Sequence, residues 1–181
     1  SHALGVLPMH ANLVHSFLEK RDKVIIQPLV LHEFKNVIES WGGEVVTNQL
    51  IENNGRYYID FDDLRNKAKQ GAKFMIVCNP HNPVGRVWSK EELEAIANIC
   101  IENNLTIISD EIYSDIMLWG NKHTPMASIS EEIRKHTITC TSSTKTFNLA
   151  GLQVATVIFP NLNMKNQYDA ILKKIETYRN N

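Results

Sequence analysis

The chain has 181 residues, 43% hydrophobic and 22% charged, which suits one globular domain with a sizeable core and leaves little for a second. Its 19 basic and 20 acidic residues give a formal charge of -1, so nothing in the balance points to nucleic acid or an anionic membrane surface as a partner. No apolar run of about 18 residues occurs. The start shows no basic stretch ahead of an apolar core, and Cys78, Cys100 and Cys140 form no Cys-x-x-Cys pair, so a membrane span, a signal peptide, disulfides and a metal site all fall away; a cytoplasmic protein with buried free thiols is expected.

In chain order, Leu13, Val14, Phe17 and Leu18 follow Gly5-Val-Leu-Pro8 with helical spacing, which predicts a helix starting near Val6 or Leu7. A short buried strand is expected over 23–27, a helix over 34–41 closed by Gly42-Gly43, and a strand over 44–47. Asn53-Asn54-Gly55 marks a turn into extended chain at 56–59. Asp60 then supplies an N-cap for a helix reaching Lys69, and 74–78 reads as a strand. Ser89-Lys-Glu-Glu92 is a capping box opening a helix to about Asn103, followed by a strand over 105–109. The stretch 133–141 supplies a helix end and a strand, 154–159 a second apolar run, and 164–178 a last amphipathic helix. Short apolar strands alternating with amphipathic helices predict an α/β fold: a mostly parallel sheet, helices on both faces, one domain over 1–181. Chemistry in such folds sits beyond the carboxyl ends of the strands.

Three strand ends carry polar groups. After Cys78 comes Asn79-Pro-His-Asn82-Pro-Val-Gly85, a loop that presents the Asn82 amide; a plain turn would also account for it. After Ser109 come Asp110 and, three residues on, Tyr113; a helix N-cap with a core tyrosine is the bland alternative. The third strand ends in Thr141-Ser142-Ser-Thr144-Lys145. A lysine desolvated there has its amine favoured and can form a Schiff base with a carbonyl, and the hydroxyls of Ser142 and Thr144 suit an anion beside it; a surface lysine in a polar loop is the bland alternative. The helix start at Gly5 and Val6 offers backbone N–H groups to a phosphate.

Asn79-Pro-His-Asn-Pro-Val-Gly-Arg-Val-Trp88, Ser109-Asp-Glu-Ile-Tyr113 and Thr144-Lys-Thr-Phe-Asn-Leu-Ala-Gly-Leu-Gln153 together resemble the fold-type I pyridoxal-phosphate enzymes, the class I/II aminotransferase family. They are most similar to its branch of cystathionine β-lyase and cysteine desulfhydrase-like carbon-sulfur lyases. The resemblance runs from about Gly5 to Pro160 and implies the large domain of the aspartate-aminotransferase fold, with its seven-stranded type of sheet. It implies pyridoxal 5'-phosphate as cofactor and a small amino acid as substrate. Lys145 would bind the cofactor and move the substrate's α-proton, Asp110 would pair with the pyridine nitrogen, and Asn82 and Tyr113 would hydrogen-bond the ring oxygen. Ser142, Thr144, Gly5 and Val6 would take the phosphate. Tyr113 and Lys145 form the expected catalytic pair.

Two positions depart from the family pattern. Gln153 stands where many aminotransferases carry a phosphate-clamping arginine, which favours the lyase branch, and Leu31 stands where an aromatic usually stacks on the ring. Relatives of this kind are about twice as long and dimeric. The resemblance therefore implies a large-domain fragment of a homodimeric parent, without its N-terminal segment and small domain. Three readings stay open: a β-lyase acting on cystathionine or cysteine conjugates, an aminotransferase, and a cofactor-binding fragment without turnover. His10 and His15, five residues apart, read as surface residues rather than ligands, and His81 as structural. Arg86, Arg134 and Arg179 read as solvated surface charge.

Overall fold

A computed structural model of the chain describes residues 1–28 and 33–179. In order it runs β1 (His2–Ala3), α1 (Val6–Phe17), β2 (Lys23–Ile26), α2 (Glu33–Ser40), β3 (Glu44–Thr47), β4 (Ile51–Asn53), β5 (Arg56–Tyr58), α3 (Phe61–Ala68), β6 (Ala72–Cys78) and α4 (Lys90–Glu102). It continues with β7 (Thr106–Asp110), α5 (Glu131–Lys135), β8 (Thr137–Thr141), α6 (Ser143–Thr146), β9 (Ala155–Ile158) and α7 (Leu162–Arg179). Among the described residues seven strands form one sheet in the order β1-β9-β8-β7-β6-β2-β3, while β4 and β5 pair as a separate hairpin. The five strands from β3 to β8 in that order are parallel; β9 runs antiparallel to β8, and β1 antiparallel to β9. The seven-stranded, mostly parallel α/β expectation therefore holds. The short β1 and the reversed direction of β9 were not legible in the sequence.

The strands read as unbroken apolar runs because both faces of the sheet are covered. Alternate residues turn to opposite sides. Met75, Val77 and Ile107 join Leu64, Leu93, Ile96 and Trp88 in one core beneath α3 and α4. Phe74, Ile76 and Ile108 join Met9, Leu13, Phe34, Ile38 and Tyr168 beneath α1, α2 and α7. The predicted caps are in place: Asp60 Oδ1 accepts from the Asp63 N–H at 2.9 Å, and Ser89 and Glu92 form the reciprocal box that opens α4. All three cysteines are buried and free.

The register places the site. Cys78 pairs with Asp110 and Asp110 with Cys140, so β6, β7 and β8 end level with one another. Asp110 is itself the last residue of β7, and the chain then turns instead of entering a helix; the N-cap alternative for Asp110 is overturned.

Candidate active site

A cavity of about 350 Å³ opens at the carboxyl ends of these strands. Its wall is assembled from segments far apart in sequence: Gly5, Val6, Leu7 and His10 from the start of α1, Asn82 from the loop after β6, Ile112 and Tyr113 after β7, Thr144 and Lys145 in α6, and Gln153 before β9. Chain order could not reveal that α1 closes this site, since α1 precedes every parallel strand; packing of α1 against α2, α7 and β9 carries it there.

The loop bearing Asn82 is tied down at both ends. The Asn79 N–H donates to the Asp110 carbonyl at 2.9 Å, and the Asn79 side-chain oxygen accepts from the Trp88 N–H at 3.0 Å. Trp88 Nε1–H donates to the Cys78 carbonyl at 3.0 Å. Within the loop the His81 N–H donates to Arg86 O at 2.7 Å and Gly85 N–H to His81 O at 2.8 Å. The His81 ring is buried edge-on to Trp88, with centroids 5.7 Å apart, and burial lowers its pKa to about 4. Its expected structural role fits this setting.

Glu111 anchors the second segment. Its buried carboxylate accepts from Ser109 Oγ at 2.8 Å and the Met126 N–H at 3.0 Å, and faces His123 Nε2 at 2.9 Å. Glu111 stands inside the Ser109-Asp-Glu-Ile-Tyr113 motif with no role assigned from the sequence, and His123 lies in no motif. Glu111 follows the last residue of β7, and its carboxylate is taken up by Ser109, Met126 and His123, while Tyr113 two residues on lines the cavity.

Asp110 is fully buried, and burial raises its carboxyl above the usual carboxylate range, with nearby His10 and the Ile112 N–H acting the other way. Its Oδ1 accepts from the Ile112 N–H at 3.3 Å, and its Oδ2 lies 3.5 Å from His10 Nε2 with no hydrogen bond. Asp110 does not line the cavity directly; its two oxygens face Ile112 and His10, which do. His10 is 2% exposed, so the surface reading for it is overturned. The helix face it occupies is the one that packs on the sheet end. His15 is half-buried and stacks on Trp41 at 3.9 Å.

At the α1 end the anion expectations need adjustment. Gly5 N–H donates to Ala3 O at 2.9 Å, so the amides that the helix leaves without internal acceptors are those of Val6 and Leu7, Pro8 having none. Gly5 supplies shape: its φ of 105° and ψ of 167° suit glycine alone, and a Cβ there would meet Gln153 Cβ and Pro8 Cδ at 3.6 Å. Ser142 does not line the cavity. Its hydroxyl accepts from the Thr144 N–H, donates to Val154 O at 2.7 Å and meets Thr144 Oγ1 at 2.7 Å. With its single proton on Val154 it serves as the cap of α6, and Thr144 reaches an anion only by turning its O–H away from Ser142.

Lys145 stands exposed at the cavity mouth, its Nζ 5.9 Å from the Tyr113 ring centroid. The expected desolvation of Lys145 is therefore not supplied by this chain's own fold. Tyr113 is half-buried, and burial together with Cys78 and Asp110 raises its hydroxyl's pKa, which keeps it a proton donor. Leu31 lies outside the described residues. Arg86 is not solvated: it pairs with Glu92, donates to Tyr57 O at 2.8 Å and lies over Trp88 at 4.6 Å. Arg134 is half-exposed and pairs with Glu131; the Arg179 side chain lies outside the described residues.

The donor set suits a flat, anionic, phosphorylated heteroaromatic: amides at a helix start for the phosphate, Asn82 and Tyr113 on the wall, and behind it a buried carboxyl oxygen with no hydrogen bond among the described residues. Residues 5–175 match the family profile described as aminotransferase class I and II. Cystathionine beta-lyase PatB of Bacillus subtilis (strain 168) is 41% identical over 171 residues, covering 94% of this chain and 44% of that protein. An aspartate aminotransferase of Bacillus sp. (strain YM-2) is 33% identical over 153 residues, covering 83% and 39%. The crystal structure of cystalysin from Treponema denticola, which contains pyridoxal 5'-phosphate, superposes with a TM-score of 0.93 at 35% identity, over 96% of this chain and 44% of that one. The chain thus spans less than half the length of these relatives.

Proposed function

This chain belongs to the aminotransferase class I and II family, and we propose that it is the pyridoxal-phosphate-binding part of a carbon-sulfur β-lyase acting on cystathionine or a cysteine conjugate. The observation that carries the cofactor assignment is the convergence of Lys145, Tyr113, Asn82 and the start of α1 on one cavity, with Asp110 directly behind the His10 and Ile112 that line it. The lean toward lyase chemistry rests on the 41% identity to a cystathionine β-lyase against 33% to an aspartate aminotransferase, and on neutral Gln153 at the anion end.

In this reading Val6 and Leu7 amides hold the phosphate and the Gln153 amide borders it. Asp110 would hold the pyridine nitrogen, and the Asn82 and Tyr113 donors would hold the ring oxygen. Pyridoxal phosphate, when bound, supplies an electron sink that makes the proton on the amine-bearing carbon removable. Lys145 Nζ would hold the cofactor and would be the base that receives that proton. The β-sulfur would leave as thiolate, and water would then release pyruvate and ammonia. Leu4 and Leu7 line the cavity yet stay exposed, which supports a parent protein in which further chain or a second subunit covers the mouth.

The test mixes the chain with pyridoxal phosphate, reduces with borohydride and maps the labelled peptide, beside Lys145→Ala. Label on the Lys145 peptide, absent from the variant, is expected; label scattered over other lysines refutes the cofactor site. Pyruvate release from cystathionine without added oxo acid is the expected lyase signature in the complete protein. An absolute requirement for the oxo acid assigns it instead to the aminotransferases.

A further inference from the structure

His10 is a buried, ionisable side chain that the functional reading leaves without a task. Its Nδ1 lies 3.0 Å from the Val6 carbonyl oxygen, an atom that can only accept, so Nδ1 carries a proton. Nε2 then faces Asp110 Oδ2 at 3.5 Å, both side chains being at most 2% exposed, and among the described residues neither atom has a hydrogen bond. Two lone pairs confined together without water repel, so one proton belongs between them, on the imidazole or on the carboxyl. The T-shaped contact of the His10 ring with Phe34, centroids 4.6 Å apart, holds the ring in this orientation. The same ring lines the cavity.

We propose that His10 is the positioning residue of Asp110, fixing the carboxyl's orientation through this shared proton and keeping it anionic toward a pyridine N–H received from the cavity. It rests on the cofactor reading above for the pyridine. The pairing of His10 with Asp110 itself does not depend on it. The other ionisable groups around the pair, among the described residues, are Glu111 next in the chain, the thiols of Cys78 on β6 and Cys140 on β8, Tyr113 after β7, and Glu33 and Lys145 on the cavity wall. The thiols stay neutral because burial and Asp110 raise both, and Tyr113 stays neutral for the same reasons. That leaves His10 as the group on α1 able to offset the desolvation of Asp110.

Two measurements test this. The first uses nitrogen NMR of histidine-labelled chain without cofactor: Nδ1 of His10 is expected to be protonated, and its Nε2 resonance to move in Asp110→Asn. An unprotonated Nδ1, or an Nε2 indifferent to Asp110→Asn, overturns the pairing. The second titrates pyridoxal phosphate between pH 6 and 8 into the wild type, His10→Gln and His10→Leu. Without the imidazole, the burial of Asp110 and the neighbouring Glu111 are opposed only by the Ile112 N–H, so binding by both variants is expected to weaken toward pH 6 by up to about tenfold per pH unit, while the wild type changes little. A carbocyclic cofactor analogue, with C–H in place of the ring nitrogen, is expected to bind all three alike. Parallel pH profiles for wild type and variants, or an equal loss with the analogue, overturn the positioning role. Failure of the wild type to bind pyridoxal phosphate while the NMR result holds would refute the cofactor reading, and with it the pyridine half of this proposal, leaving the pairing intact.

Discussion

Acidification tests the loop that presents Asn82. In the folded chain burial holds the His81 ring at a pKa of about 4, below its ordinary value of 6.5. Between those values the unfolded chain binds a proton that the folded chain refuses, so stability falls as pH drops through this window and is fully retained above pH 6.5. The shift from 6.5 to about 4 is worth roughly 3 kcal/mol when complete, and about 2–3 kcal/mol of it is gone by pH 4.5. The assay is urea unfolding at pH 7 and pH 4.5 for the wild type and for His81→Phe, which retains an aromatic edge toward Trp88. Losses from other titrating groups are common to both proteins, so the wild type should lose about 2–3 kcal/mol more than the variant over this interval. Equal losses would mean that His81 is not held neutral in the fold, and the packing of this loop on Trp88 would be wrong.

Asp110→Asn is expected to stabilise the cofactor-free chain at pH 8. The folded carboxyl value is raised, so the stability it lends is present below the unfolded value and lost as pH rises through the folded one. A gain in Tm at pH 8 that vanishes toward pH 4 is the calorimetric signature; no gain at pH 8 refutes the raised carboxyl. Added pyridoxal phosphate should raise Tm of the wild type more than that of the variant. Gly5→Ala forces a side chain into a backbone region essentially reserved for glycine, at a cost of about 1–3 kcal/mol in unfolding free energy. It should also weaken pyridoxal phosphate binding more than binding of dephosphorylated pyridoxal, because the amides it displaces face the phosphate; an equal effect on both ligands refutes that placement.

The helices and strands were readable in the sequence because their signals are local. Ser89 and Glu92 cap α4 by contacts three residues apart, Asp60 caps α3 in the same way, and the apolar runs at 74–78 and 137–141 need only a covered sheet to make sense. Asn82, Asp110, Tyr113 and Lys145 were likewise legible, each standing just after an apolar run where an open α/β sheet exposes its strand ends. What the sequence could not carry were contacts between elements. His10 and Asp110 are 100 residues apart, and only the packing of α1 over the end of β7 makes one the partner of the other. Likewise the commitment of the Ser142 hydroxyl to Val154 depends on how β9 returns antiparallel beside β8, a direction that no short run of residues encodes. Local free energies wrote the elements and the chemistry at their ends; which buried polar group meets which was decided by the three-dimensional packing that removed both from water.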